Sequence, residues 1–207
     1  MKQVILLLVV SLCASVGFSQ KLKTTIGEPN VIEGDKNINI VFTYNNLKVG
    51  KMEESAYVKR EIKERDTKKE GTGNEWAILW KKDKVECYPD GFIKLFNKYG
   101  EKLFDATVVP NTIDSKYTIE VNTSYIEPGF NAAIIRRPSE TNHEIRIYET
   151  ANPDVIIHSL ELEGSYSNSN NSAMDGGDYY SASQRIRESF ARAAKEYCKF
   201  IYKEHIK

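Results

Sequence analysis

The sequence predicts an α+β domain of two layers: a mixed sheet with helices on one face, built as strand, helix, strand, helix, then an antiparallel meander and a long C-terminal helix. Three observations predict it. Residues 52–69 run without glycine or proline at helical composition, residues 117–163 alternate apolar and polar between short turns, and residues 186–201 carry an apolar stripe at spacings of three and four.

Residues 20–36, with Gly27, Pro29, Gly34 and Asp35, read as an irregular lead-in. Ile38, Ile40, Phe42 and Tyr44 then alternate with Asn39, Val41 and Thr43, the period of a strand with one buried face. Met52 to Lys69 is a charged helix with a thin apolar stripe, Val58 and Ile62. Gly71-Thr72-Gly73-Asn74 stops it. Trp76 to Trp80, apolar on both sides, reads as a central strand. Pro89-Asp90-Gly91 introduces a short helix, Phe92 to Tyr99, closed by Gly100. Tyr117 to Tyr125 gives the cleanest alternation in the chain. Pro128-Gly129 turns into Phe130 to Arg137, a loop follows to Asn142, and His143 to Thr150 and Val155 to Glu163 complete four strands joined by short loops. Short connections of this kind join antiparallel neighbours. Residues 165–183, mostly Ser, Asn, Gly, Asp and Tyr, form a flexible loop. Beyond it Ile186, Phe190, Ala193, Ala194, Tyr197 and Ile201 share one helical stripe, away from Arg187, Arg192, Lys195, Lys199 and Lys203. Residues 37–207 thus form a single domain.

The first nineteen residues read as a secretory signal: Lys2, an apolar run from Val4 to Val16, and small residues Gly17 and Ser19 before a cleavage point at Gln20. The run is too short to span a bilayer permanently. Cys13 could accept a lipid, but Leu12 stands where lipoprotein processing requires a small residue, so no anchor is expected. The expected location is therefore the periplasm or the outer membrane's vicinity. Removing residues 1–19 takes Lys2 and no acid, which leaves 28 basic and 29 acidic residues, a formal charge of −1. That balance argues against a nucleic-acid partner, and no transmembrane segment is expected in the mature chain.

Chemistry-bearing residues are scattered. None of His143, His158 and His205 belongs to a metal-binding motif, and His158 shares its strand face with Ile156, Leu160 and Leu162, as a hydrogen-bonded core histidine would. No metal or cofactor is expected. Cys87 and Cys198 could form one disulfide or remain two packed thiols; the second reading is favoured, because a domain of this size needs no staple. Gly71 to Asn74 runs from a helix into a strand, the reverse of a phosphate-binding loop. Asp175 and Asp178 flank Gly176-Gly177 without the remaining ligands of a calcium loop. Tyr166, Tyr179 and Tyr180 bracket the polar tract, and tyrosines among Ser, Gly and Asn suit recognition, so they are the candidate binding residues.

The element order, the Ala193-Ala194-Lys195 core of the last helix and the segment Tyr125-Ile126-Glu127-Pro128-Gly129-Phe130 resemble secreted envelope proteins of Gram-negative bacteria. The order is similar to the α/β domain at the start of the Tol-system translocation protein and to outer-membrane lipoproteins that activate penicillin-binding proteins. The resemblance implies an envelope protein that binds another protein or a cell-surface component, with no catalytic residue to carry across. The alternative is a periplasmic hydrolase of glycans or peptides. Its paired acids would come from Glu120, Glu127, Asp175 and Asp178.

Overall fold

The computed structural model describes residues 20–132, 135–167 and 181–207. Strand β1 (Lys21–Ile26) leads into a single 3-10 turn, Pro29–Ile32, and then β2 (Ile38–Thr43). Two short strands follow, β3 (Lys48–Val49) and β4 (Met52–Glu53), and then three helices in succession: α1 (Glu54–Lys68), α2 (Thr72–Val85) and α3 (Cys87–Phe104). The second half comprises β5 (Val108–Pro110), β6 (Tyr117–Glu127), β7 (Phe130–Ala132), β8 (Ile135–Arg137), β9 (Glu140–Glu149), β10 (Asn152–Tyr166) and α4 (Ala182–Ile201). The main sheet runs β1-β10-β9-β6-β2-β5, with β3 also on β6 and β4 on β3. Pairing is parallel where β2 meets β5 and β6 and where β3 meets β6, and antiparallel elsewhere. The α+β class, the mixed sheet and the C-terminal helix are as the sequence predicts.

Four local readings change. Residues 20–36 are not irregular: β1 adds an edge strand against β10, and Leu22, Pro29 and Ile32 reach the interior. Its period of two is short: Leu22 and Thr24 are half-buried, and the register shift between Thr24 and Ile26 leaves Ile26 46% exposed. Trp76 to Trp80 is helix, not strand. Spaced by four, the two indoles stack on each other at 5.7 Å and meet Tyr57 of α1, which is helical rather than strand geometry. The short helix at 92–99 is instead α3, which starts at Cys87 with Pro89 in its first turn, where a missing N–H costs nothing. It also continues through Gly100 and closes at Asp105, whose left-handed φ of 53° ends it. The first half is therefore four strands, β1 to β4, then three helices. Finally, Phe130 to Arg137 is not a member of the meander. β9 takes the edge of β6 from the Glu127↔Glu140 pair onward, so the segment folds back on itself as the separate β7–β8 hairpin.

The core lies between the sheet's inner face and the α3–α4 pair. Every apolar residue of the predicted terminal stripe is buried. Tyr88 meets Phe190 at 5.5 Å, Phe96 meets Tyr197 at 6.4 Å, and Phe42 from β2 meets Phe92 edge-on at 5.7 Å. Burial of such side chains contributes about 1.5–3 kcal/mol each and is the main force holding helices to sheet. The buried Arg185 in the first turn of α4 donates to the carbonyls of Pro128 and Gly129, both at 3.2 Å, and so ties the end of β6 to the helix layer.

Candidate functional site

Alternation along β6, β9 and β10 sends Ile119, Val121, Ile145, Ile147, Leu160 and Leu162 inward, fully buried. Their neighbours form the opposite face, and no described element lies across it. Direct cross-strand partners there are Glu120, Arg146 and Ser159; Asn122, Glu144 and Glu161; Tyr125 and Asn142; and Glu127, Glu140 and Tyr166. A register shift between Thr123 and Tyr125 puts Tyr125 and Glu127 on this face rather than in the core.

Arg146 organises the centre. Its Nε and Nη2 donate to the two oxygens of Glu144 at 2.8 and 2.7 Å, and its Nη1 lies 3.9 Å from Glu120. Hydrogen bonding to Glu144 raises the guanidinium's pKa further. Glu120 also accepts from the Thr43 hydroxyl at 3.0 Å, and the carbonyl oxygen of Asn122 accepts from the same hydroxyl at 3.2 Å and from the Asn45 N–H at 2.8 Å. These bonds fix the side chains before any partner arrives, which lowers the entropy cost of binding.

Three half-buried tyrosines stand on the same face. Burial first, and neighbouring carboxylates second, raise the phenol pKa of Tyr125, Tyr148 and Tyr166, with Glu127, Glu120 and Glu140 as the respective leading acids. All three are therefore O–H donors at neutral pH, and Tyr166 hydrogen-bonds Glu140. At the far end Glu127 accepts from the Gly129 N–H at 3.2 Å and pairs with Arg137 at 3.5 Å. Gly129 turns there with φ of 64°, and a Cβ on it would sit 2.3 Å from the Arg137 carbonyl, so only glycine fits.

Of the residues expected to bind, Tyr166 lies on this face, whereas Tyr179 and Tyr180 lie outside the described residues. Of the expected loop 165–183, Ser165 and Tyr166 belong to β10 and Ser181 caps α4, its side chain accepting from the Gln184 N–H, while residues 168–180 lie outside the described residues. Of the four acids, Asp175 and Asp178 lie outside the described residues, and Glu120 and Glu127 stand seven positions apart on one strand, too far to act together on one bond. Glu140, which no sequence motif marks, is the acid directly opposite Glu127. Among the described residues no group of three or more His, Cys, Asp and Glu converges to hold a metal. Cys87 and Cys198 are free thiols: Cys87, at the start of α3, accepts a contact from Ser183 in the first turn of α4, and Cys198 sits fifteen residues beyond Ser183 on α4, about 22 Å further along and beyond bridging distance. No described helix is long and apolar enough to cross a membrane.

No protein-family model matches the chain, and no curated protein matches it. Solved structures similar to it in part include two PelC dodecamers from Paraburkholderia phytofirmans, one a variant, at 9% and 11% identity, covering 86% and 85% of this chain and 99% and 98% of theirs, each with a TM-score of 0.38.

Proposed function

We propose that this chain is an exported, non-enzymatic envelope protein that binds another protein or an envelope component through the open face of its sheet. One observation carries the reading: Tyr125, Tyr148 and Tyr166, half-buried donors on rigid strands, share an uncovered face with an ordered Arg146–Glu144–Glu120 network. Tyrosine offers large contact area with few rotors to freeze, and a strand fixes it better than a loop. A solvated antiparallel face needs polar residues but not three aromatic ones. Export is supported by the apolar run Val4 to Val16 and by the resemblance in element order to envelope domains. A photo-crosslinking amino acid at position 148 tests the proposal in intact cells. Defined adducts from position 148, absent with the same probe at the exposed helix position 98, support it; equal labelling at both positions contradicts it.

A second reading, hydrolysis of glycans or peptides, rests on Glu127 and Glu140 standing directly opposite each other across β6 and β9. Cleavage of peptidoglycan fragments by the wild-type protein, lost in Glu140→Gln, would establish it.

A further inference from the structure

Helices α1 and α2 form a hairpin bridged at both ends. At the end beside the turn a Cβ on Gly73 would lie 2.4 Å from the Ile62 carbonyl, a close approach only glycine permits, and Asp66 accepts from the Gly73 N–H at 2.8 Å. At the other end Glu54 is held by the Trp80 indole N–H and the Lys84 ammonium, both at 2.7 Å. Between them runs a groove of about 570 Å³ whose apolar wall is Val58, Ile62, Ala77 and Trp80. Elsewhere on α2 Ile78 and Val85, seven positions apart on one helical stripe, are 67% and 76% exposed. Lys59 and Lys81 stand on its rim, and neither has an ion-pair or hydrogen-bond partner among the described residues.

We propose that this groove binds the acyl chain of a fatty carboxylate, with Lys59 and Lys81 receiving the head group. The inference concerns a different site from the open sheet face and stands apart from it. Charge selects the head group: the one carboxylate in the groove, Glu54, is already saturated by Lys84 and Trp80, so the two rim ammonium groups are available to a ligand anion. Shape selects the tail. Helices in contact at Gly73 leave too little width for a third helix, about 10 Å across, while a methylene chain fits a slot running about 12 Å from Glu54 to Ile62. A volume in this range is that of small-molecule sites.

The chain has two tryptophans, and both report on the groove: Trp80 lines it and Trp76 stacks on Trp80. Sodium laurate, titrated below micellar concentration into the folded protein, should change the indole emission saturably. Dodecyltrimethylammonium should bind at least tenfold more weakly. Ala77→Phe, which fills the groove, should abolish the change, and the doubly substituted Lys59→Glu, Lys81→Glu protein, altered only at exposed positions, should weaken laurate at least tenfold with its melting temperature retained. The proposal is overturned by no saturable change with laurate, by equal affinity for both head groups, or by laurate affinity unaltered in the lysine variant. It is overturned equally if an acidic amphipathic helical peptide saturates the signal while laurate does not.

Discussion

His143 is the residue on which burial has the plainest consequence. Its ring is enclosed between the Thr123 and Thr141 hydroxyls, at 3.1 and 2.8 Å, and edge-on to Phe190 at 4.7 Å. Burial alone pushes its pKa down to about 3, and burial lowers that of His158 as well. Both rings are neutral when folded but take up protons near pH 6.5 when unfolded, so the stability they confer is present above about 6.5 and is lost as pH falls towards the folded values. Urea unfolding should show the loss beginning below that pH and reaching, for His143, on the order of 4 kcal/mol by pH 3. A His143→Gln protein should be less stable at pH 7 and show a shallower acid slope; an unchanged slope would place the ring in water. His143 shares its face with Ile145 and Ile147; for His158 alternation with Leu160 and Leu162 made burial legible, although the register shift before it sets Ile156 opposite Tyr148 on the other face. The thiols make a second residue-scale prediction. Burial raises both thiol pKa values, and Cys198 is fully enclosed against the Phe96 carbonyl. In folded protein a maleimide should react slowly with half-buried Cys87 and not with Cys198; unfolding without reductant should expose two thiols, and finding none would contradict the separation along α4.

Among the elements, α4 was the most legible and α2 the least. The stripe Ile186, Phe190, Tyr197 and Ile201 repeats at helical spacing from residue 186 to residue 201, enough to fix type and inward face together. In α2 the run Trp76 to Trp80 is short and apolar on all sides, and period cannot separate helix from strand in so few residues. What decides is tertiary: the Trp76–Trp80–Tyr57 contacts and the close approach at Gly73, neither visible in the chain order. The edge strand β1 was obscured by its lysines, which protect an open edge from pairing with other chains. Phe190 joins Tyr88 on α3 to His143 on β9, so it links all three parts of the core. Phe190→Ala should therefore cost about 3–5 kcal/mol in denaturant unfolding. A loss below roughly 0.5 kcal/mol would mean that α4 is peripheral to the fold.

For the whole molecule, the division of labour follows from the helices packing on one face of the sheet. The inner face and α3–α4 supply stability, and the outer face is left to water or to a partner. The candidate site was legible only in part. Tyr166 was singled out for its sequence neighbours, but Tyr125, Tyr148, Glu140 and Arg146 come together through strand register and through the shift between Thr123 and Tyr125 that sequence alternation does not reveal. The most direct measurement is quantitative affinity capture from native envelope, comparing wild type with a protein carrying Tyr125→Ser, Tyr148→Ser and Tyr166→Ser. Half-exposed side chains on a solvated face should leave the melting temperature within a few degrees of wild type, so loss of binding can be read apart from loss of fold. The account predicts that a partner enriched by wild type falls at least tenfold with the variant. Equal recovery of every partner by the two proteins would contradict it.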